Sequence, residues 1–237
     1  MINHIRLEVC CGSYSDALAA SGFADRIELN SALELGGLTP SRATFLKAME
    51  LNIPLAVMVR PRTAGFVYEE ADIEVMLEDA RWFCEHGASG IVFGFLNKDG
   101  SINIKQSQKM TDIIGDKEKI FHKAFDATPD LFQSCQTLID LGITRILTGG
   151  GRGLVGDNLE VLAKLQNQYG DQIQLLPGGG VTEDNIITIL KQTGITQIHM
   201  TAKETKLDPS TNQPYVAVSS QVLQRIKTIL SQASDLV

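Results

Sequence analysis

Positive charge is scarce in this sequence. Its 237 residues hold 21 Lys and Arg against 28 Asp and Glu, a net charge of −7. A nucleic-acid binder usually shows a basic patch or stripe, so that class of partner is not expected. Long apolar runs are also missing, and none approaches the roughly 20 residues that a membrane-spanning helix needs. MINHIRLEVC does not read as a secretion signal, because Arg6 and Glu8 interrupt the stretch where an apolar segment would lie. The expected location is therefore the cytoplasm. Cysteine is sparse: Cys10, Cys11, Cys84 and Cys135 form no CxxC pair and no zinc-type spacing. In a reducing compartment they are expected as free thiols. Cys84 and Cys135 fall within predicted helices and read as small buried hydrophobes. No linker, low-complexity run or charge block divides the chain.

What is present is a rhythm. Short β-rich runs occur at 5–10, 26–30, 55–60, 89–94, 119–125, 144–148, 173–177 and 196–200. Helical patterns lie between them. EEADIEVMLEDARWFCEHG sets Ile73, Leu77, Ala80 and Cys84 on one stripe and ends at Gly87. INIKQSQKMTDIIG is the faintest of these helices. Thr182 and Asn185 suggest a capped start for the helix after strand seven. Eight strand–helix units between about residues 5 and 233 average roughly 30 residues, the size of a βα repeat. Such a series implies a parallel sheet, and eight units predict a single (β/α)8 TIM barrel over 1–237. An open doubly wound sheet is the alternative, but the chain reads CCGSYS after its first strand, with no GxGxxG. LDPSTNQPYVA (207–217) is expected as a long polar loop after strand eight.

Strand side chains alternate faces. That rule sends Leu7, Val9, Ile27, Leu29, Val57, Val59, Ile198 and Met200 toward the helices. Arg6, Glu8, Cys10, Arg26, Glu28, Asn30, Met58, Arg60, His122, Thr148, His199 and Thr201 then face the lumen. In FHKAFD (121–126), His122 and Asp126 are expected on one strand face. So many polar groups at C-terminal strand ends suggest a site, since barrel enzymes build theirs at that rim. The competing reading is a satisfied ion-pair network among Arg6, Glu8, Arg26, Glu28 and Arg60. Glu8, Glu28, His122, Asp126 and His199 are the candidate catalytic residues, as acids, bases or groups that orient a histidine. TGGGRG (148–153) and PGGGVTEDN (177–185) are glycine loops at the same rim. Glycines let backbone N–H groups approach an anion near a helix start. Gly178, Gly179 and Gly180, with Arg60 and Arg62 of MVRPRT, are therefore the candidate anion site. The reaction class is an isomerase, lyase or hydrolase acting on a small phosphorylated or carboxylated metabolite.

EVCCGS, RIELNSALELGGLTPS, VMVRPR, GIVFGFLNKDGSI, FHKAFD, ILTGGG, LLPGGG and the His199 strand resemble, in that order, the CutC family of copper homeostasis proteins. The resemblance runs from about Glu8 to Thr201. It implies a TIM barrel, a cytoplasmic homo-oligomer and copper handling, with Cu(I) held by two cysteines. Cys10 matches one of those cysteines. The family commonly reads RIELC where this chain has Asn30, reads HRAFD where it has Lys123, and lacks Cys11. Cu(I) prefers soft ligands, so Cys10 is the expected metal ligand, with Met58 as a possible thioether partner. Cys11, its neighbour, should point the other way.

Overall fold

A computed structural model describes residues 5–233. The expected boundaries 1–237 include residues 1–4 and 234–237, which lie outside the described residues. The eight expected strands form within one or two residues of their predicted starts. They are β1 (Arg6–Cys11), β2 (Arg26–Leu29), β3 (Leu55–Met58), β4 (Gly90–Phe93), β5 (Glu118–Phe121), β6 (Arg145–Thr148), β7 (Gln174–Pro177) and β8 (Gln197–Met200). After β8 comes a hairpin of β9 (Lys203–Leu207) and β10 (Pro214–Val218). The helices are α1 (Tyr14–Ala20), α2 (Arg42–Met49), α3 (Glu70–Glu85), α4 (Ile104–Ile114), α5 (Leu131–Asp140), α6 (Leu159–Tyr169), α7 (Ile186–Thr193) and α8 (Ser220–Ala233). Four of these starts carry a side-chain cap. Ser13, Ser41, Asn103 and Asp130 each accept a hydrogen bond from a first-turn N–H. Even the faint helix over 104–114 forms, because its apolar stripe buries Met110 and Ile114.

The sheet is parallel, in the order β7-β6-β5-β4-β3-β2-β1-β8. β7 and β8 lie side by side and nearly close the barrel. A side chain spans that seam, where Gln197 Nε2 donates to the Leu175 carbonyl at 3.0 Å. Two buried layers follow from the alternation. Leu7, Val9, Cys11, Ile27, Leu29, Val57, Val59 and Ile198 belong to the large core between sheet and helices. Ala56, Met58, Val92 and Ile120 form a small separate cluster inside the barrel. The expected facing of strands one, two, three and eight is therefore observed, including Cys11 on the helix side.

Several expectations change. β5 ends at Phe121, and Phe125–Ala127 forms a 3-10 turn. Phe125 N–H already bonds the His122 carbonyl, so the chain turns and His122 and Asp126 share no strand face. In β6 it is Leu147 that lines the lumen, whereas Thr148 reaches sideways to Asp126. Arg6 is exposed at the start of β1. Residues 207–217 are half a hairpin rather than a free loop. Ladder pairs such as Val216 with Thr205 and Ala217 with Glu204 zip it up, and Asp208 closes the turn by accepting from Ser210 and Thr211. Both hairpin strands are largely exposed, so they lack the apolar alternation that reveals a strand. On α3 the buried stripe is Ile73, Met76, Ala80 and Phe83, leaving Cys84 half-buried. α7 starts at Ile186, and Asn185 Oδ1 accepts from Thr182 N–H, the reverse of the expected cap.

Candidate metal and ligand site at the barrel mouth

The lower lumen is sealed by paired charges. Arg26 Nε donates to Glu8 Oε2. Arg145, fully buried, donates to both oxygens of Glu118 at 3.0 and 2.6 Å and to Gln174 at 3.1 Å. A buried charge needs such partners. For Arg26 the ion-pair reading is the correct one. Arg145, Glu118, Gln174 and Gln197 of this layer escaped sequence reasoning, although the same alternation on β5 to β8 would have found them.

Above the plug, Glu8 uses its other oxygen to accept from His199 Nδ1 at 2.7 Å. Burial alone would raise the pKa of Glu8. The His199 hydrogen bond and the Arg26 charge outweigh it and hold Glu8 at about 2. Burial would lower the pKa of His199, but the Glu28 and Glu8 carboxylates raise it instead. Glu8 therefore orients the ring and leaves His199 Nε2 turned to the cavity, 4.0 Å from Glu28 Oε2. Glu28 Oε2 accepts from Asn30 Nδ2 at 2.8 Å and from the Cys10 thiol at 3.3 Å. Asn30 Nδ2 also reaches Cys10 Sγ at 3.5 Å. Burial raises Glu28, and burial with the Glu28 charge pushes the Cys10 thiol well up. Among the described residues, Glu28 Oε1 has no hydrogen-bond partner. Donor atoms of Cys10, Glu28 and His199 all lie within 4.8 Å of one another, a cluster able to hold a metal ion. Met58 lines the same cavity of about 400 Å³, together with Arg60, Phe66, His122 and Lys123.

His122 stands apart from this chain of bonds. Its Nδ1 accepts from Ala124 N–H at 3.1 Å, so the neutral ring carries its proton on Nε2. Burial, then the Arg60 charge, lowers its pKa to about 3. Its ring lies 4.8 Å from that of Phe66. Asp126 is not its partner. That carboxylate accepts from Thr148 Oγ1, from the N–H groups of Gly149 (2.9 Å) and Gly151 (3.1 Å), and from Lys123. It holds the loop after β6.

The arginines and the glycine loop are not brought together. Arg60 donates to the carbonyls of Leu35, Gly36, Gly37 and Ala64, clamping the loops after β2 and β3. Arg62 pairs with Asp72 at 2.9 Å and lies over Tyr68. Gly179 and Gly180 border a second hollow of about 490 Å³ with Thr182, Lys203 and Thr201. Gly178 instead lets Leu147 and the His199 ring pack closely, since a Cβ there would lie 2.6 Å from Leu147 Cδ1 and 3.2 Å from His199 Cδ2. The cation the sequence reading passed over is Lys123, which lines both hollows.

The CutC family profile matches residues 5–204. The chain belongs to the CutC family. A family protein CutC of Treponema denticola is 44% identical over 212 residues, covering 89% of this chain and 86% of the relative. The human copper homeostasis protein cutC homolog is 38% identical over 206 residues, covering 86% and 76%. Among solved structures, a CutC protein of Streptococcus agalactiae superposes with a TM-score of 0.80 at 31% identity, over 83% of this chain and 98% of that one. KGPDC of Streptococcus mutans, at TM-score 0.64 and 12% identity over 97% of this chain and 98% of that one, shares the fold. Among the described residues no helix is long and apolar enough to cross a membrane.

Proposed function

We propose that this CutC-family protein acts in copper homeostasis by taking up one Cu(I) ion at the barrel mouth, with Cys10 Sγ and His199 Nε2 as its main ligands. The observation that carries the reading is the convergence of Cys10, Glu28 and His199 donor atoms within 4.8 Å. Thiolate and imidazole both suit copper, and thioether sulfur adds a soft donor. Met58 lines the same cavity and is the candidate for that role. Glu8 plays the supporting part that carboxylates commonly play for metal-bound histidines, fixing the ring through Nδ1. Glu28, with one oxygen free, balances charge beside the ion. Asn30 stands where the family commonly has a second cysteine, so this site would use nitrogen where a two-thiolate site uses sulfur. Cytoplasmic residence and homo-oligomeric assembly belong to the same proposal; the four free cysteines agree with a reducing compartment.

Titration of the reduced protein against a Cu(I) chelator tests it. One ion should bind, and Cys10→Ser and His199→Phe should each lower affinity at least tenfold. Unchanged affinity in both variants would refute the site.

A further inference from the structure

Three observations at the barrel mouth are left unused by a copper site, and they adjoin one another. First, His122 is 3% exposed and its Nε2 has no hydrogen-bond partner among the described residues. A buried donor without an acceptor is costly. A Cβ on Gly94 would lie 2.5 to 2.6 Å from Cε1 and Nδ1, so that edge of the ring is packed against backbone. His122 also lines the cavity of about 400 Å³ at the barrel mouth.

Second, Lys123 Nζ passes between the two glycine loops. A Cβ on Gly149 or Gly179 would sit 2.8 or 2.9 Å from it. Only glycine lets the ammonium lie there. Its one acidic contact among the described residues, Asp126, already accepts from a hydroxyl and two backbone N–H groups, so that charge is shared and Lys123 keeps capacity for another anion.

Third, the N–H groups of Gly179, Gly180 and Val181 have no acceptor among the described residues. Gly179 and Gly180 have φ of 92° and 96°, and successive N–H groups in such loops form anion-binding concavities. Glu183, the acidic residue on this hollow, is taken up by Arg225 at 2.7 and 2.9 Å. Lys203 adds a second cation at the rim.

The two hollows share Lys123, His199 and Thr201. We propose that together they form a binding site for a small phosphorylated hydroxycarbonyl compound, of the sugar-phosphate class. The phosphate lies against Lys123 and the 179–181 N–H groups. The carbonyl oxygen accepts from His122 Nε2–H. A hydroxyl of the ligand donates to the carboxylate of Glu28, which lines the same cavity and whose Oε1 has no partner among the described residues. This keeps the anion expected from the glycine loop but assigns its cation to Lys123 instead of Arg60. It shares Glu28 with the copper reading but rests on Lys123, His122 and the glycine-loop N–H groups, which that reading does not use.

The test uses metal-free, full-length protein and isothermal titration with three probes: dihydroxyacetone phosphate, inorganic phosphate and dihydroxyacetone. The phosphorylated ketone should bind at least tenfold more tightly than inorganic phosphate, and dihydroxyacetone should not bind measurably. Lys123→Met should weaken both phosphate species at least tenfold, and Lys123→Arg should restore most of that loss. His122→Asn keeps an acceptor for Ala124 N–H but cannot reach the Nε2 position. It should weaken dihydroxyacetone phosphate while leaving inorganic phosphate unchanged. Cu(I) titration of Lys123→Met should match wild type, which separates failure of this site from failure of the metal site. No binding of either phosphate species at millimolar concentration would overturn the proposal, as would binding indifferent to Lys123→Met. Equal losses for both species in His122→Asn would overturn the carbonyl contact.

Discussion

Acid should expose His122 as a stability switch. Its pKa is 6.5 when unperturbed and about 3 in the folded protein, through burial and then the Arg60 charge. The sign follows from proton counting. Above pH 6.5 neither the folded nor the unfolded chain protonates this ring. Below 6.5 the unfolded chain takes up a proton that the folded chain refuses, so stability falls until pH reaches the folded pKa. One pH unit is worth about 1.36 kcal/mol, so the loss at pH 4.5, counted from well above pH 6.5, is about 2.7 kcal/mol, and near pH 3 it approaches about 4 to 5 kcal/mol. The ring is almost wholly buried, so solvent screening takes little away. Urea denaturation of wild type and His122→Asn at pH 7.0 and pH 4.5 isolates the effect, because all other titrating groups are common to both. Asparagine keeps an acceptor for Ala124 N–H. Wild type should lose about 2 to 3 kcal/mol more than the variant between the two pH values. Parallel losses in the two proteins would show that His122 takes up a proton in the folded state as readily as in the unfolded chain.

Asn30→Cys should raise Cu(I) affinity, because it adds a thiolate beside Cys10, whereas Cys11→Ser should change it little, since Cys11 packs among the helices; competition with a Cu(I) chelator reads both. Arg60→Ala should lower stability by about 1.5 to 3 kcal/mol, the scale of a hydrogen bond to a charged group, because its guanidinium holds four carbonyls of two loops; chemical denaturation at neutral pH measures it, and an unchanged midpoint would deny the clamp. Asp16→Ala should speed amide exchange across residues 203–218, since Asp16 Oδ1 accepts from Val218 N–H at 2.8 Å and ties the hairpin to α1; unchanged exchange there would mean that the hairpin is held elsewhere.

The barrel was legible in the sequence because two local periods repeat eight times. Alternation places Val9 and Cys11 toward the helices and Cys10 toward the lumen whatever the rest of the chain does, since neighbouring strand residues face opposite sides. The same rule brought Glu8, Glu28 and His199 into one lumen. It failed where strands stop. A four-residue β5 turns at His122, and only the fold shows that Asp126 then serves Thr148 and two glycine N–H groups. Nor can spacing along the chain say which buried charges spend themselves on each other. Arg60 and Lys123 are both cations near strand ends. Arg60 meets four carbonyls from loops distant in sequence, and Lys123 threads two glycines from two further loops. Local chemistry determined which residues reach the mouth of this barrel. The partner each one meets there was decided by closure of the sheet, because hydrogen bonds form between groups adjacent in space, and adjacency across eight strands is a property of the folded chain alone.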